Sequence, residues 1–215
     1  MKIKIISDST CDLSPELLEK YDITLGRLSV IKDGKAFLDG ETITPADIFA
    51  HVAAGGDLCS TNAMNIDAYE KLFATYSEEY DGIIHINIGS GFSCCYQNAT
   101  IAAADFPKVR VIDSQNLSTG QGLLVLEACR LAQDCEDLDA LAEYLRNYAK
   151  RIEASFLLDQ LKYMAKGGRC SAATALGANL LNLKPCIEVR DGKMTVVKKY
   201  RGSYAKCLTS YVKDR

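Results

Sequence analysis

The chain has 215 residues, 48% of them hydrophobic, and 25 Lys+Arg against 28 Asp+Glu give a formal charge of -3. That length and apolar fraction suffice to bury a sizeable core in one large or two small domains, and the lack of a basic excess excludes a nucleic-acid partner from the expectations. No apolar run approaches the roughly 18 to 20 residues that span a bilayer, and Met1–Ile6 is too short and too soon followed by Ser7-Asp8 to act as a signal peptide, so a cytoplasmic protein is expected.

In chain order, Lys2–Ser7 is apolar and β-branched and reads as a strand, followed by Asp8-Ser9-Thr10 and a helix capped by Ser14 with Pro15 at its first position. Ile23–Ile31 is predicted as a second strand, which Asp33-Gly34 turns into Ala36–Leu38. Thr44-Pro45 repeats the cap-and-proline device before a helix that runs to about Ala54 and stops at Gly55-Gly56. Cys59–Asn65 is small and polar, a predicted loop carrying hydroxyls, and Ile66–Glu79 is helical again. Gly82–Ile88 is a strand, Ser93–Ala104 a helix and Lys108–Ile112 a strand; the longer helices Asn116–Gln133 and Leu138–Ile152 follow, the first opening on the glycine-rich Ser118-Thr119-Gly120-Gln121-Gly122. This alternation predicts an α/β fold, a mostly parallel sheet flanked by helices, with its chemistry beyond the carboxyl ends of the strands.

A change of texture at about Ala154 divides the chain into an N-terminal α/β domain, 1–153, and a smaller C-terminal α/β domain, 154–215. The second is predicted from a helix ended by Gly167-Gly168, a helix over Ser171–Asn182, a hairpin of Lys184–Arg190 and Lys193–Tyr200 around Asp191-Gly192, and a last helix after Gly202. So few elements would leave much of their apolar face uncovered, and a truncated domain is expected.

Nine cysteines without CxxC spacing suggest neither a disulfide framework nor a zinc site, and the two histidines, His51 in a helix and His85 in mid-strand, form no cluster; no metal is expected. Hydroxyls gather in Asp8-Ser9-Thr10, Ser60-Thr61-Asn62 and Ser90-Gly91-Phe92-Ser93, each read as closing a strand or opening a helix. Hydroxyl and N–H donors at a helix N-terminus bind an anion without a formal cation, although the same residue types also serve as plain caps. Gly89-Ser90-Gly91 lacks the third glycine of a dinucleotide fingerprint and the Gly-Lys-Ser/Thr of a P-loop. It also misses GxSxG, and neither histidine is placed as a base, so no catalytic residue is assigned. Cys94-Cys95 has no evident activating neighbour and reads as packing. Arg169, after Gly167-Gly168, either pairs with the last carbonyls of its helix or forks onto a carboxylate or a partner protein.

The ordered set Ser7-Asp8-Ser9-Thr10-Cys11-Asp12-Leu13, Asp39-Gly40 with Ile43-Thr44-Pro45, Ser60-Thr61, Ser90-Gly91-Phe92-Ser93 with Tyr96-Gln97, Val111-Ile112-Asp113-Ser114, and Lys166-Gly167-Gly168-Arg169 with Asn182-Leu183-Lys184-Pro185 resembles the DegV family over essentially the whole chain. The resemblance implies a two-domain α/β protein that binds a long-chain fatty acid between its domains and has no other cofactor. It implies a substrate-presenting role instead of an enzyme's: the acyl carboxylate is offered to a separate fatty acid kinase, for phospholipid synthesis, with room for transient membrane contact and no transmembrane segment. Carried over by position, Ser60 or Thr61 supplies one hydroxyl to the carboxylate, Ser93 the second, and Arg169 stands on the head-group or partner side. The sequence departs from the family's Thr-Ser-Gln-Pro-Ser loop with Ser60-Thr61-Asn62-Ala63-Met64, and from its Ser-Gly-Thr-Tyr-Gln with Ser93-Cys94-Cys95-Tyr96-Gln97. Family members also run on to complete the second sheet with a Gly/His-rich strand, so no C-terminal head-group histidine is assigned.

A desolvated carboxylate needs several donors, and an apolar tunnel adds roughly 0.8 kcal/mol per buried methylene; Ala172–Leu183, Phe92 and Ile88 are the candidate lining. The competing readings are a small-molecule enzyme that uses the same loops as an anion site, and a lipid-responsive regulator.

Overall fold

The structure, a computed structural model, describes residues 1–170 and 183–215 and divides into two compact units, Met1–Ile152 and Glu153–Arg215. In the first unit β1 (Ile3–Asp8), β2 (Thr24–Gly26), β6 (Gly82–Asn87) and β7 (Val109–Asp113) form a parallel sheet in the order β2-β1-β6-β7. β6 is buried along its whole length, as expected of a central strand covered on both faces, and its Ile83, Ile84 and Ile86 supply the β-branched content that marks it as a strand. Side chains alternate between those faces. Ile5, Ile84, Ile86 and Ile112 pack with Leu124 and Leu145 from α5 (Ser118–Ala132) and α6 (Leu138–Ala149). Ile6, Ile83, Val109 and Val111 pack with Tyr69 and Phe73 of α3 (Ile66–Ser77) and with Cys95 and Ala99 of α4 (Cys95–Ala102). α6 shows how the sequence does this: Asp137 caps it by accepting from Asp139 and Ala140 N–H, and its buried Leu138, Leu141, Ala142, Leu145 and Ala149 fall on one helical stripe.

The glycines at the start of α5 have a steric reason. A Cβ on Gly122 would lie 2.7 Å from the Cys11 carbonyl oxygen, so the helix can press against the short 3-10 turn Ser9–Cys11 only without one. That approach carries the Gln121 amide into the core, where it donates to Ser7 Oγ (3.0 Å) and Ile86 O (3.3 Å) and accepts from Thr10 Oγ1 (2.9 Å).

Ile23–Ile31 is not one strand. β2 ends at Gly26, and β3 (Ser29–Lys32) begins a separate antiparallel sheet, β4-β3-β5, with β4 (Lys35–Leu38) and β5 (Ser60–Asn62). Between them the Leu28 N–H donates to Ser9 Oγ (3.3 Å) and Arg27 Nη1 donates to Asp39 O (2.7 Å), drawing the chain off the parallel edge. Asp33 and Gly34, at φ 50° and 74°, make the tight hairpin turn from β3 to β4. The predicted loop Cys59–Asn65 contains β5, paired through Val30↔Thr61 and Ile31↔Ser60; its exposed polar residues carry no periodic apolar signal. α4 begins at Cys95, two positions later than predicted. Two further helices, α1 (Pro15–Lys20) and α2 (Pro45–Ala53), begin where the prolines predict, and Thr44 and Asp47 complete a capping box on α2.

The second unit is an antiparallel sheet in the order β10-β9-β8, built from β8 (Ala154–Leu157), β9 (Leu183–Arg190) and β10 (Lys193–Arg201), with α7 (Leu161–Gly167) and α8 (Tyr204–Lys213). β8 was not predicted as a strand; it is short and pairs with β9, distant in sequence. Leu157, Cys186, Tyr200 and Cys207 form one of its small clusters. The predicted helix Ser171–Asn182, and with it the candidate lining from Ala172 to Asn182, lies outside the described residues.

Lys4 sits in mid-β1 with only 3% of its side chain exposed and reaches the sheet edge, where Nζ donates to Asp22 O (2.8 Å) and pairs with Asp22 Oδ2 (2.7 Å). Burial pushes the Asp22 carboxyl up, but Lys4 and the Tyr80 hydroxyl outweigh it and hold the group below its ordinary value. A lowered folded-state value stabilises above the unfolded carboxylate range and stops doing so as pH falls through the folded value. Asp22→Asn should therefore cost about 0.5 to 1 kcal/mol at neutral pH, after allowance for solvent screening, and urea titrations at falling pH should show wild type and variant converging in acid. Gly122→Ala should lower stability by about 1 to 3 kcal/mol in the same titration, whereas Gly167→Ala, whose added methyl meets nothing within 4 Å, should not.

Candidate functional site

β1 and β6 are neighbours, with β2 beyond the first and β7 beyond the second, so the direction of winding reverses between them. A crevice outside the carboxyl ends of the strands is expected at such a reversal, and here the segments Asp8–Cys11 and Ile88–Ser93 flank it.

The turn after β6 is shaped by close backbone approach. Gly89 N–H donates to Asn116 O (2.7 Å) and accepts, through its carbonyl, from Phe92 N–H (2.9 Å). A Cβ on Gly89 would lie 2.9 Å from Asn116 N and 3.0 Å from Gln115 C, so glycine is needed there for space. Ser90 donates to Asp113 from both N–H (3.0 Å) and Oγ (2.5 Å). Of the two candidate lining residues in this turn, Phe92 is buried and Ile88 is half-buried against the α3/α4 cluster.

Hydrogen bonding sorts the clustered hydroxyls. Ser9 Oγ donates to Asp39 Oδ2 (2.7 Å), Thr10 Oγ1 donates to Gln121 Oε1 (2.9 Å), and Ser90 is held by Asp113, so these brace loops. Ser93 differs. It is half-buried, lies just before α4, accepts from Cys95 N–H (3.2 Å), and points its own proton at Cys95 Sγ (3.1 Å), a weak acceptor. Its proton is therefore available to a stronger acceptor.

Ser60 and Thr61 are exposed on β5, in the antiparallel sheet, whereas the other two hydroxyl segments follow strands of the parallel sheet. No hydrogen bond joins either of them to Ser93 among the described residues. The link is through the chain that leaves β5: Met64 O accepts from Asn98 Nδ2 on α4 (2.8 Å), and Ala63 and Met64 pack in the cluster that contains Cys95. A cleft of about 540 Å³ opens beside this segment, its apolar walls including Leu25, Met64 and Leu72 and its rim Asn62 and Asn65.

Arg169 belongs to the second unit. α7 is closed by Gly168 at φ 70°, and exposed Arg169 donates from Nη1 to Gly167 O (2.7 Å), the helix-carbonyl pairing that is one of the two roles open to it.

Sequence reasoning missed the buried polar group behind Ser93. Asp8, Tyr69, His85 and Asn87 are all fully buried. Asp8 Oδ1 accepts from Tyr69 Oη (2.9 Å), Asp8 Oδ2 accepts from Asn87 Nδ2 (3.0 Å) and Ile88 N–H (2.9 Å), and His85 Nε2 lies 3.3 Å from Oδ1. Burial first, then the Asp8 charge, holds the Tyr69 phenol well above its ordinary value, so it remains a donor. The same two causes push the Cys95 thiol up, against the lowering pull of the Ser93 and Tyr69 hydroxyls. One signal was available: His85 and Asn87 are polar at alternate positions of an otherwise apolar strand, hence on one face.

Among the described residues no group of His, Cys, Asp and Glu is placed to hold a metal ion, and no helix is long and apolar enough to cross a membrane. The family model described as "Uncharacterised protein, DegV family" matches residues 2–212. The chain belongs to the DegV family. A DegV domain-containing protein of Clostridium perfringens is 34% identical over 94% of this chain and 73% of its own length. Among solved structures, a fatty-acid-binding DegV family protein from Thermus thermophilus has a TM-score of 0.88 at 29% identity, covering 99% of this chain and 78% of that one. A stearic acid-binding protein from Eubacterium ventriosum has a TM-score of 0.86 at 28% identity, covering 99% of this chain and 75% of that one. The mixed α/β architecture with its parallel sheet is thus the DegV fold.

Proposed function

We propose that this DegV-family chain binds a long-chain fatty acid, its carboxylate on the hydroxyls of Ser93 and of Ser60 or Thr61 and its tail in an apolar tunnel, and presents the head group to a partner fatty acid kinase in lipid metabolism. The observation that carries the reading is the Ser93 hydroxyl, which stands at the reversal point of the sheet with its proton on a thiol. Exchanging sulfur for a carboxylate oxygen turns a weak bond into a charge-assisted one. The fatty-acid-binding relatives of the same fold support the choice of anion. Burial of the tail, at roughly 0.8 kcal/mol per methylene, supplies the affinity while the hydroxyls orient the head. Arg169 is assigned to the head-group or partner side, since Gly167 O occupies only part of its donor fork.

The role is that of a carrier, without chemistry of its own. His85 is sealed in β6 against Asp8 and Asn87, and the Cys95 thiol is pushed up by burial, which disfavours the nucleophilic thiolate. We place the protein in the cytoplasm, with transient membrane contact.

Native mass spectrometry of protein taken from cells should show one long-chain fatty acid per chain. A protein that is always empty, and that takes up none when offered palmitate, would sink the reading. Ser93→Ala should weaken palmitate binding by about 1 to 3 kcal/mol, read by calorimetry; an unchanged affinity removes Ser93 from the site.

A further inference from the structure

Asp8 ends β1 with no exposed surface, and its carboxyl oxygens gather donors from separate segments of the first unit. Tyr69 Oη comes from α3 (2.9 Å), Asn87 Nδ2 from the last position of β6 (3.0 and 3.2 Å), and the Ile88 N–H from the first residue of the turn (2.9 Å). Tyr69 packs in the same buried cluster as Cys95, and Cys95 meets Ser93 twice: its N–H donates to Ser93 Oγ (3.2 Å), and its sulfur accepts from that hydroxyl (3.1 Å). Asp8 is thus bonded to Tyr69, which packs in the cluster of Cys95 behind Ser93, and a second link runs from Asp8 through Ile88 into the backbone that carries Ser93.

We infer that Asp8 and Tyr69 are positioning residues of the carboxylate site, which set the direction of the Ser93 hydroxyl from behind without touching the ligand; this rests on the reading of Ser93 as the carboxylate donor. Stability alone gives a poor account of the group. His85 Nδ1 and Asn87 Oδ1 are buried with no partner among the described residues, and a partly satisfied polar network is a costlier filling than apolar side chains. Its location does fit a positioning role. The network lies under the crevice at the carboxyl ends of β1 and β6 and engages the Ile88 amide just past the end of β6, where a buried N–H must find an acceptor.

The test is a double-mutant cycle on palmitate affinity with Tyr69→Phe and Ser93→Ala. Tyr69→Phe keeps the ring that stacks with Phe73 and meets His85 edge-on, and removes only the hydroxyl. Alone, it should weaken palmitate binding about five- to tenfold, whereas in the Ser93→Ala background it should change affinity by less than about twofold, because its effect passes through Ser93. In the ligand-free protein, deuterium uptake should rise over residues 88–95 and stay unchanged over β7. Independent, additive losses, or a Tyr69→Phe variant with wild-type affinity and wild-type uptake over 88–95, would overturn the inference while leaving the Ser93 reading intact. If Ser93→Ala itself binds palmitate like wild type, the Ser93 reading falls and this inference with it. Should Tyr69→Phe not fold, Asp8→Asn, which keeps the side-chain size, goes through the same cycle with the same expected outcomes.

Discussion

A carboxyl group cut off from water must be surrounded by donors, and at Asp8 that requirement decides where several segments of the first unit meet. The end of β6 has to lie level with the end of β1 so that Asn87 and Ile88 can reach it, and α3 has to pack at the depth that brings Tyr69 Oη within 2.9 Å. Removing one donor would not simply delete a contact; it would leave a buried polar group short of partners, which costs more than the bond returns when made. The geometry of the crevice is therefore fixed by a desolvation constraint before any ligand arrives.

Close backbone approach completes what Asp8 begins. Gly89 lets the turn after β6 lie on Asn116, and Gly122 lets α5 lie on the turn after β1, so both walls of the crevice are anchored to the layer behind them. Gln121 then joins the walls, bonding to Thr10 on one side and to Ile86 O on the other. The loops at this end of the sheet are held by short-range sterics and buried amides, which explains why most of their hydroxyls are engaged internally.

Much of this was legible in the sequence, for identifiable reasons. β6 announces itself by its isoleucines, and the helix starts at Pro15 and Pro45 do so because proline, joined at the second by the Thr44–Asp47 capping box, acts locally. The hydroxyls of Ser90-Gly91-Phe92-Ser93 could be noticed because a hydroxyl near a helix start has a local logic, and the resemblance to the DegV family then points to Ser93 among them. What escaped depends on partners distant in the chain. β2 and β3 read as one strand because the break between them is enforced by Ser9 and Asp39, not by any local turn residue. β5 has no apolar pattern and exists through its pairing with β3. Tyr69 reads as one more core aromatic of an amphipathic helix, and only the fold shows that its hydroxyl meets Asp8, 61 positions away.

If Ser93 is the carboxylate donor proposed above, the sulfur of Cys95 has a consequence for how readily the site fills. An oxygen acceptor in its place would grip the Ser93 proton more firmly, and every incoming anion would have to compete with it. Sulfur keeps the hydroxyl aimed while holding it weakly, so on that reading little is lost when the proton passes to an anion. A placeholder of this kind would orient the donor in the empty site without competing strongly for it.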